Sequence, residues 1–203
     1  LQKRIVPKLK YCITVNQSIA KWFKEKYGTD FKVVRNIPDK IGVTRIKERF
    51  DLGLPQDKRI ILLQGAGINI QRGAEEAIDA MQWVENAILL IIGGGDAVES
   101  LKVRSQKSEV RDKVTFLPKM KPEDLYHYTC NADIGLSLDK DTNINYRYSL
   151  PNKVFDYVNA GVPVLASALP EVQAFIDKYY IGVCIKSHDP QHIAEMMNFM
   201  LNS

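Results

Sequence analysis

From Arg59 onward, short apolar runs alternate with longer amphipathic stretches. Ile60 to Leu63, Ala87 to Ile92, Val114 to Leu117, Ala132 to Leu138, Val162 to Ala166 and Ile181 to Ile185 read as strands. Between them the spacing predicts helices over Gly73–Val84, up to about Gln106, from Pro122 to Cys130, from about Pro151 to Asn159 and over Pro170–Tyr179. A last helix is opened by Asp189 as cap and Pro190 in the first turn. Ala77, Ile78, Ala80 and Met81 form the apolar face of the first of these helices. Strands that are mostly apolar throughout, alternating with helices, predict an α/β fold: an open parallel sheet covered by helices on both faces. Ligands of such sheets lie beyond the carboxyl ends of the strands, where strand order reverses. The loops at those ends, residues 64–72, 93–96, 117–121, 139–148 and 166–171, are rich in glycine and polar residues.

The first part of the chain follows a different pattern. Tyr11 to Val15 reads as a strand, Ile19 to Tyr27 as a helix capped by Asn16 and ended by Gly28, and Phe31 to Val34 as another strand. Arg35 to Lys40, polar and interrupted by Pro38, reads as a linker. A basic helix is expected near Val43 to Phe50, broken by Leu52-Gly53-Leu54-Pro55. With 203 residues, 45% of them hydrophobic, the chain suits one domain, or one domain plus a fragment. It opens at Leu1 inside an amphipathic segment with no leader legible, and so reads as a piece of a longer protein.

Charge and cysteine content narrow the classes. The net charge of +4 is mild, and no dense Lys/Arg run with interleaved aromatics points to nucleic acid. Cys12, Cys130 and Cys184 are widely spaced in apolar contexts, which suggests buried thiols in a reducing compartment rather than a disulfide framework or metal cluster. The longest apolar run, Ala87 to Ile92, is too short to span a bilayer.

The candidate chemistry gathers on Ser149 to Pro163. Ser149 is expected to cap this helix, Pro151 to sit in its first turn, and Gly161 to take the left-handed position after it. Val154, Phe155 and Val158 should face the core, with Asn152, Lys153 and Asp156 on another side. Lys153 and Asp156 could form a plain surface ion pair. A cation in a first turn, however, opposes the helix dipole, and a bound anion would account for it. Arg147 adds positive charge nearby. Gly65-Ala66-Gly67 follows a strand, but a dinucleotide fingerprint needs a third glycine where Ile70 stands. Arg72 at the mouth of that glycine turn suits a phosphate. Gly93-Gly94-Gly95-Asp96 permits either close ligand approach or simple turn formation, with Asp96 as cap of the next helix. Tyr146 and Tyr148 read as loop packing, and His127, His188 and His192 as surface or helix-edge residues. No hydrolytic triad or zinc spacing is present.

In combination and order, these motifs resemble the C-terminal, donor-binding domain of the GT-B glycosyltransferases, in the retaining class with a Glu-x7-Glu signature. The resemblance covers about residues 36–203. It implies a Rossmann-like half, residues 39–203, that binds a nucleotide sugar, preceded over residues 1–38 by the end of an acceptor-binding domain and the interdomain linker. Gln64-Gly65 through Arg72-Gly73 resembles the family's Gly-Arg-x5-Lys-Gly loop, with Arg72 at the lysine and Ala66 at the arginine position. Ile91 to Asp96 resembles its Gly-x-Gly strand end, and Val114 to Pro118 the segment that contacts the base. Asp156 stands at the second Glu, the ribose ligand; the first falls at Tyr148. Ser149 to Tyr157 fits a subgroup pattern, Ser-x-Pro-Asn-Lys-x-Phe-(Glu/Asp)-Tyr, in which Lys153 replaces the missing cation.

The implied site therefore comprises Arg72 and Lys153 as the groups that stabilise the leaving diphosphate, with Gly65, Gly67, Gly94, Leu117, Ser149, Asn152 and Asp156 as further donor contacts. No metal or cofactor is required beyond the nucleoside-diphosphate sugar. The implied acceptor is a carbohydrate or lipid-linked molecule held by the other domain, and this piece alone should transfer little or nothing. The implied setting is polysaccharide biosynthesis in the cytoplasm, with peripheral association at the inner face of a membrane as an extension. A nucleotide-sugar epimerase or a phosphorylase of the same architecture, and a non-catalytic nucleotide-binding scaffold, are the alternatives.

Overall fold

The computed structural model describes residues 1–203 except Lys40 and Ser108; Lys40, the end of the expected linker, lies outside the described residues. The strands are β1 (Ile13–Thr14), β2 (Lys32–Val33), β3 (Arg59–Gly65), β4 (Ala87–Gly93), β5 (Val114–Leu117), β6 (Ile134–Ser137), β7 (Val164–Ser167) and β8 (Gly182–Ile185). The α-helices are α1 (Gln2–Ile5), α2 (Gln17–Tyr27), α3 (Ala74–Ala80), α4 (Val98–Arg104), α5 (Pro122–Cys130), α6 (Ile144–Arg147), α7 (Asn152–Asn159), α8 (Pro170–Tyr179) and α9 (Pro190–Leu201). β1 and β2 pair in a small parallel sheet of their own. The other six strands form one parallel sheet in the order β5-β4-β3-β6-β7-β8, the expected Rossmann-like arrangement.

Alternation along each central strand divides the core. Ile61, Leu63, Leu89 and Ile91 point to the face covered by α3, α4 and α9. Ile60, Leu62, Ile88, Leu90 and Ile92 point to the face where Tyr157 of α7 and Val172 and Ile176 of α8 pack. Burial on both sides explains why these strands are apolar throughout; each fully buried aliphatic side chain contributes about 1.5–3 kcal/mol. Ala77, Ile78, Ala80 and Met81 are fully buried, as their spacing predicts. The helix that carries them is α-helical only to Ala80 and tightens into a 3-10 turn at Met81–Trp83.

The reversal of strand order falls between β3 and β6, which pair only at Ile61↔Ile134 and Leu62↔Gly135. Tyr157 fills the gap beyond. Its ring lies over Gly135, where an added Cβ would come within 2.4 Å of the ring. Its hydroxyl lies 3.1 Å from the Leu62 carbonyl and 3.2 Å from the Leu136 carbonyl, and accepts from the Gln64 N–H at 3.3 Å. Tyr157 therefore takes the core position expected of Val158, which is 37% exposed, while Val154 and Phe155 are buried as expected. Burial pushes the Tyr157 phenol far up, so it stays a neutral donor.

Two other expectations are corrected. Residues 43–50 form no helix. The Lys47 N–H donates to Nδ1 of His127 and the Lys47 carbonyl accepts from Asn131, while the Arg49 guanidinium reaches the carbonyls of Lys58 and Asn131 and the carboxylate of Asp133. Side chains at the end of α5 thus hold backbone groups that a helix would need. Asp96 does not cap α4, whose preceding residue is Ala97; the Asp96 N–H instead donates to Oδ1 of Asn69 at 3.2 Å. The Asn16 and Asp189 caps form as expected. Asn16 also donates to the Tyr148 carbonyl, and Ser18 N–H donates to Glu171 at 3.1 Å, so the start of α2 is fastened to the end of α6 and to α8.

Replacing Tyr157 with Phe keeps the ring and removes the hydroxyl from three backbone partners. The variant should lose about 1–3 kcal/mol of stability. Urea unfolding checks this: a lower midpoint at unchanged slope is expected, and an unchanged midpoint would show that the hydroxyl is not what closes the strand gap.

Candidate functional site

A cavity of about 820 Å³ opens beyond the carboxyl ends of β3 and β4. Its floor is Leu63, Gln64, Gly65, Ile92 and Gly93; Ala66, Gly67 and Arg72 form one wall, and Pro151, Asn152, Lys153 and Asp156 another. Lys119, Met120 and residues of α5 close the far end, and Pro38, Asp39, Ile41 and Gly42 approach from the linker. The apolar part of this lining suits a flat ring, and the cations suit an anion.

Backbone geometry places Arg72. Gly73 is left-handed (φ 76°), and an added Cβ would come within 2.3 Å of the Leu138 carbonyl. Only glycine lets the turn before α3 press so closely on the end of β6. The Lys140 N–H completes the contact by donating to the Gln71 carbonyl at 3.0 Å. The Arg72 guanidinium then lies 3.4 Å from Asp139 and 5.0 Å from the centre of the Tyr146 ring. Lys153, in the first turn of α7, reaches the same carboxylate from the other side at 3.3 Å. Its side chain is 10% exposed, and that of Asp139 2%. Burial pushes the Lys153 amine down from its ordinary range, Asp139 opposes this, and Arg72 pushes it further down. The surface pair between Lys153 and Asp156 does not form; each faces a separate buried partner.

Asp156 accepts a hydrogen bond from Nε2 of Gln64 at 3.1 Å. Gln64, 2% exposed, is itself held by Thr129, whose hydroxyl lies 2.8 Å from its Oε1. This chain from α5 through β3 to α7 fixes the direction of the carboxylate. Burial pushes the Asp156 carboxyl above its ordinary range, and the Gln64 bond works against that shift.

Gly65, Gly67, Arg72, Asn152, Lys153 and Asp156 are thus brought to one cavity, while Gly94, Leu117 and Ser149 lie outside its lining. Gly94 is occupied in turn formation, its carbonyl accepting from Ile68 N–H at 2.8 Å. Leu117 lies in β5, and Lys119 and Met120 after it reach the cavity instead. Ser149 is not the cap of α7: its hydroxyl donates to the Tyr146 carbonyl, Pro151 holds the capping position, and the helix starts at Asn152. Gly161 does take the left-handed position after α7 (φ 72°). Arg147 turns away, pairing with Asp141 at 3.8 Å and lying 6.0 Å from the Tyr148 ring centre. Asp139, Gln64 and Thr129 are the residues that sequence reasoning did not single out. The available signals were a carboxylate at the end of an apolar strand and one amide inside an apolar run.

A Rossmann-like sheet in this strand order, with paired cations beyond its switch point, matches the Rossmann-like domain of the GT-B glycosyltransferase fold. The chain belongs to the family of glycosyl transferases group 1, whose profile matches residues 44–203. It is similar to the D-inositol 3-phosphate glycosyltransferase of Xylanimonas cellulosilytica, with 26% identity over 86% of this chain and 44% of that protein. In structure it is similar to Anabaena Alr3699/HepE in complex with UDP and glucose (TM-score 0.79, 16% identity, 98% of this chain and 56% of that one). It is also similar to the sucrose-phosphate synthase of Thermosynechococcus elongatus (TM-score 0.75, 22% identity, 100% and 51%). The chain spans about half the length of these relatives.

The raised Asp156 carboxyl has a consequence for stability. Folding favours its protonated form, so its contribution is present below the ordinary carboxylate pKa near 4 and is lost as pH rises through the raised folded value. Asp156→Asn should therefore raise the melting temperature at pH 7, and the gain should vanish as pH falls below about 4. Calorimetric melts across that range check this; a gain independent of pH would contradict the assignment.

Proposed function

We propose that residues 39–203 are the donor-binding domain of a glycosyltransferase that moves a sugar from a nucleoside diphosphate to a carbohydrate or lipid-linked acceptor, with retention. The observation that carries this reading is the convergence of Arg72 and Lys153 on one buried point at the mouth of a cavity with room for a base and ribose. The complexes of HepE with UDP, and with UDP and glucose, support a nucleotide sugar as donor. Residues 1–38 then end an acceptor-binding domain and include the linker, and the acceptor belongs to the other half of the full-length enzyme. The present chain by itself transfers little or nothing. Among the described residues no helix is long and apolar enough to cross a membrane. A cytoplasmic enzyme that meets lipid-linked acceptors at the inner face of a membrane fits this reading.

In the proposed reaction the bond from the sugar's anomeric carbon to the diphosphate breaks as the acceptor oxygen bonds to the same face of that carbon. The departing phosphate oxygen takes the acceptor proton. Arg72 and Lys153 stabilise the charge that builds on the diphosphate, and their positions are set before the reaction by Gly73 and by α7. Neither metal nor further cofactor is required in this scheme, because two cations already face the leaving group. Asp156, aimed by Gln64, accepts from the ribose hydroxyls. At the position of the family's first Glu stands Tyr148, which has no carboxylate, so the sugar must find that contact elsewhere.

Calorimetric titration of this chain with UDP, ADP and GDP tests the reading; a folded sample that binds none of them would sink it. Arg72→Ala and Lys153→Ala should each weaken the bound diphosphate about ten-fold or more, since a charge-assisted hydrogen bond is worth roughly 1.5–3 kcal/mol. Affinity for the corresponding nucleoside should change little. Equal losses for both ligands would remove the phosphate role.

A further inference from the structure

We propose that Asp139 is the positioning residue of the diphosphate clamp: its buried carboxylate sets the spacing of Arg72 and Lys153, keeps Lys153 charged, and yields both cations to the diphosphate when it binds. The inference rests on the donor-site reading above.

The geometry is unusual for a structural ion pair. Both cations lie within ion-pair distance of Asp139, at 3.4 and 3.3 Å, yet neither carboxylate oxygen receives a hydrogen bond, and Nε of Arg72 is buried without a partner as well. A carboxylate held only for stability is saturated with donors, because burying a charge without hydrogen bonds is costly. Here one carboxylate faces two cations, which leaves a net positive charge, while donors stay undirected. A diphosphate supplies the acceptor oxygen that Arg72 Nε lacks, and further oxygens for the Lys153 amine.

A carboxylate beside an anion site repels the anion, so Asp139 must offset that cost. The groups around Lys153 show how. Arg72, from the turn before α3, disfavours a second cation, and burial disfavours any charge at all. From α7 itself, Asp156 is turned to Gln64 and Tyr157 is held neutral. On the same loop as Asp139, Lys140 is paired with Glu76 of α3. From the segment after β8, His188 meets the Leu138 carbonyl and the Ser167 hydroxyl. Asp139 is the neighbour that favours the charged amine. Without it Lys153 gives up its proton more readily, and a neutral amine holds a diphosphate poorly.

The test is calorimetric affinity of this chain and of Asp139→Asn for whichever of UDP, ADP and GDP binds most tightly, and for its nucleoside, from pH 6 to pH 9. A lysine whose pKa falls loses its proton earlier as pH rises. The ratio of variant to wild-type diphosphate affinity should therefore fall by about ten-fold or more across the range, since removing an opposite charge at this distance shifts a pKa by 1–3 units. Nucleoside affinity should stay level with pH. The double variant Asp139→Asn/Lys153→Arg should lose the pH dependence, because a guanidinium does not deprotonate here. A constant ratio, or a double variant that still falls with pH, overturns the proposal. If Asp139→Asn alone does not fold, Asp139→Asn/Lys153→Met should restore folding by removing the unpaired cation; a chain that stays unfolded overturns the charge-holding role. A wild-type chain that binds none of the nucleotides overturns the donor-site reading, and this proposal with it, which distinguishes the two failures.

Discussion

The short pairing of β3 with β6 is the constraint on which the rest depends. Two parallel strands that meet at the reversal of strand order send their following segments to opposite faces, and a crevice opens between them. The chain must close the lower part of that crevice and keep the upper part open. Tyr157 closes it, with its ring over Gly135 and its hydroxyl among Leu62, Gln64 and Leu136. Because Asp156 and Lys153 stand on the same short helix, anchoring Tyr157 also sets where those two side chains emerge. On the other side, Gly73 against Leu138 sets Arg72. Fold and site are therefore consequences of one packing problem.

The same arrangement puts function in tension with stability. Asp139, Lys153 and Asp156 are ionisable groups taken largely out of water, and desolvation pushes the latter two toward their neutral forms. Replacing a whole buried ion cluster with well-packed apolar residues often leaves a fold as stable or more so, whereas removing one member strands the others. Their presence is better explained by an anion and a ribose to be held than by the needs of the fold. The Thr129–Gln64–Asp156 chain serves the same end by spending buried hydrogen bonds on the direction of a single carboxylate.

Much of the fold was legible because the central strands are buried on both faces, which makes Ile60 to Leu63 and Ala87 to Ile92 continuous apolar runs. Caps such as Asn16 and Asp189 were legible because their hydrogen bonds join residues only two or three positions apart. What was not legible depends on distant partners. Residues 43–50 look helical until His127, Asn131 and Asp133 take their polar groups. Val158 fits the helical stripe as well as Tyr157 does, and only the gap beside Gly135 selects the tyrosine. Ser149 resembles a cap until the turn at Ile144–Arg147 claims its hydroxyl. Arg72, Lys153 and Asp156 could be singled out from spacing and from the family resemblance, and the structure brings them to one cavity. Asp139 became visible only when the contact of Gly73 with Leu138 showed which loop meets which, and Arg147, close in sequence, proved to point elsewhere.

The most direct test of the two-cation site is a crystal structure of this chain with the nucleoside diphosphate that it binds most tightly. The account predicts the diphosphate beyond the ends of β3 and β6, with oxygens in hydrogen-bonding reach of both the Arg72 guanidinium and the Lys153 amine, and a ribose hydroxyl on Asp156. A nucleotide bound with its diphosphate away from Lys153, or outside this cavity, would contradict it.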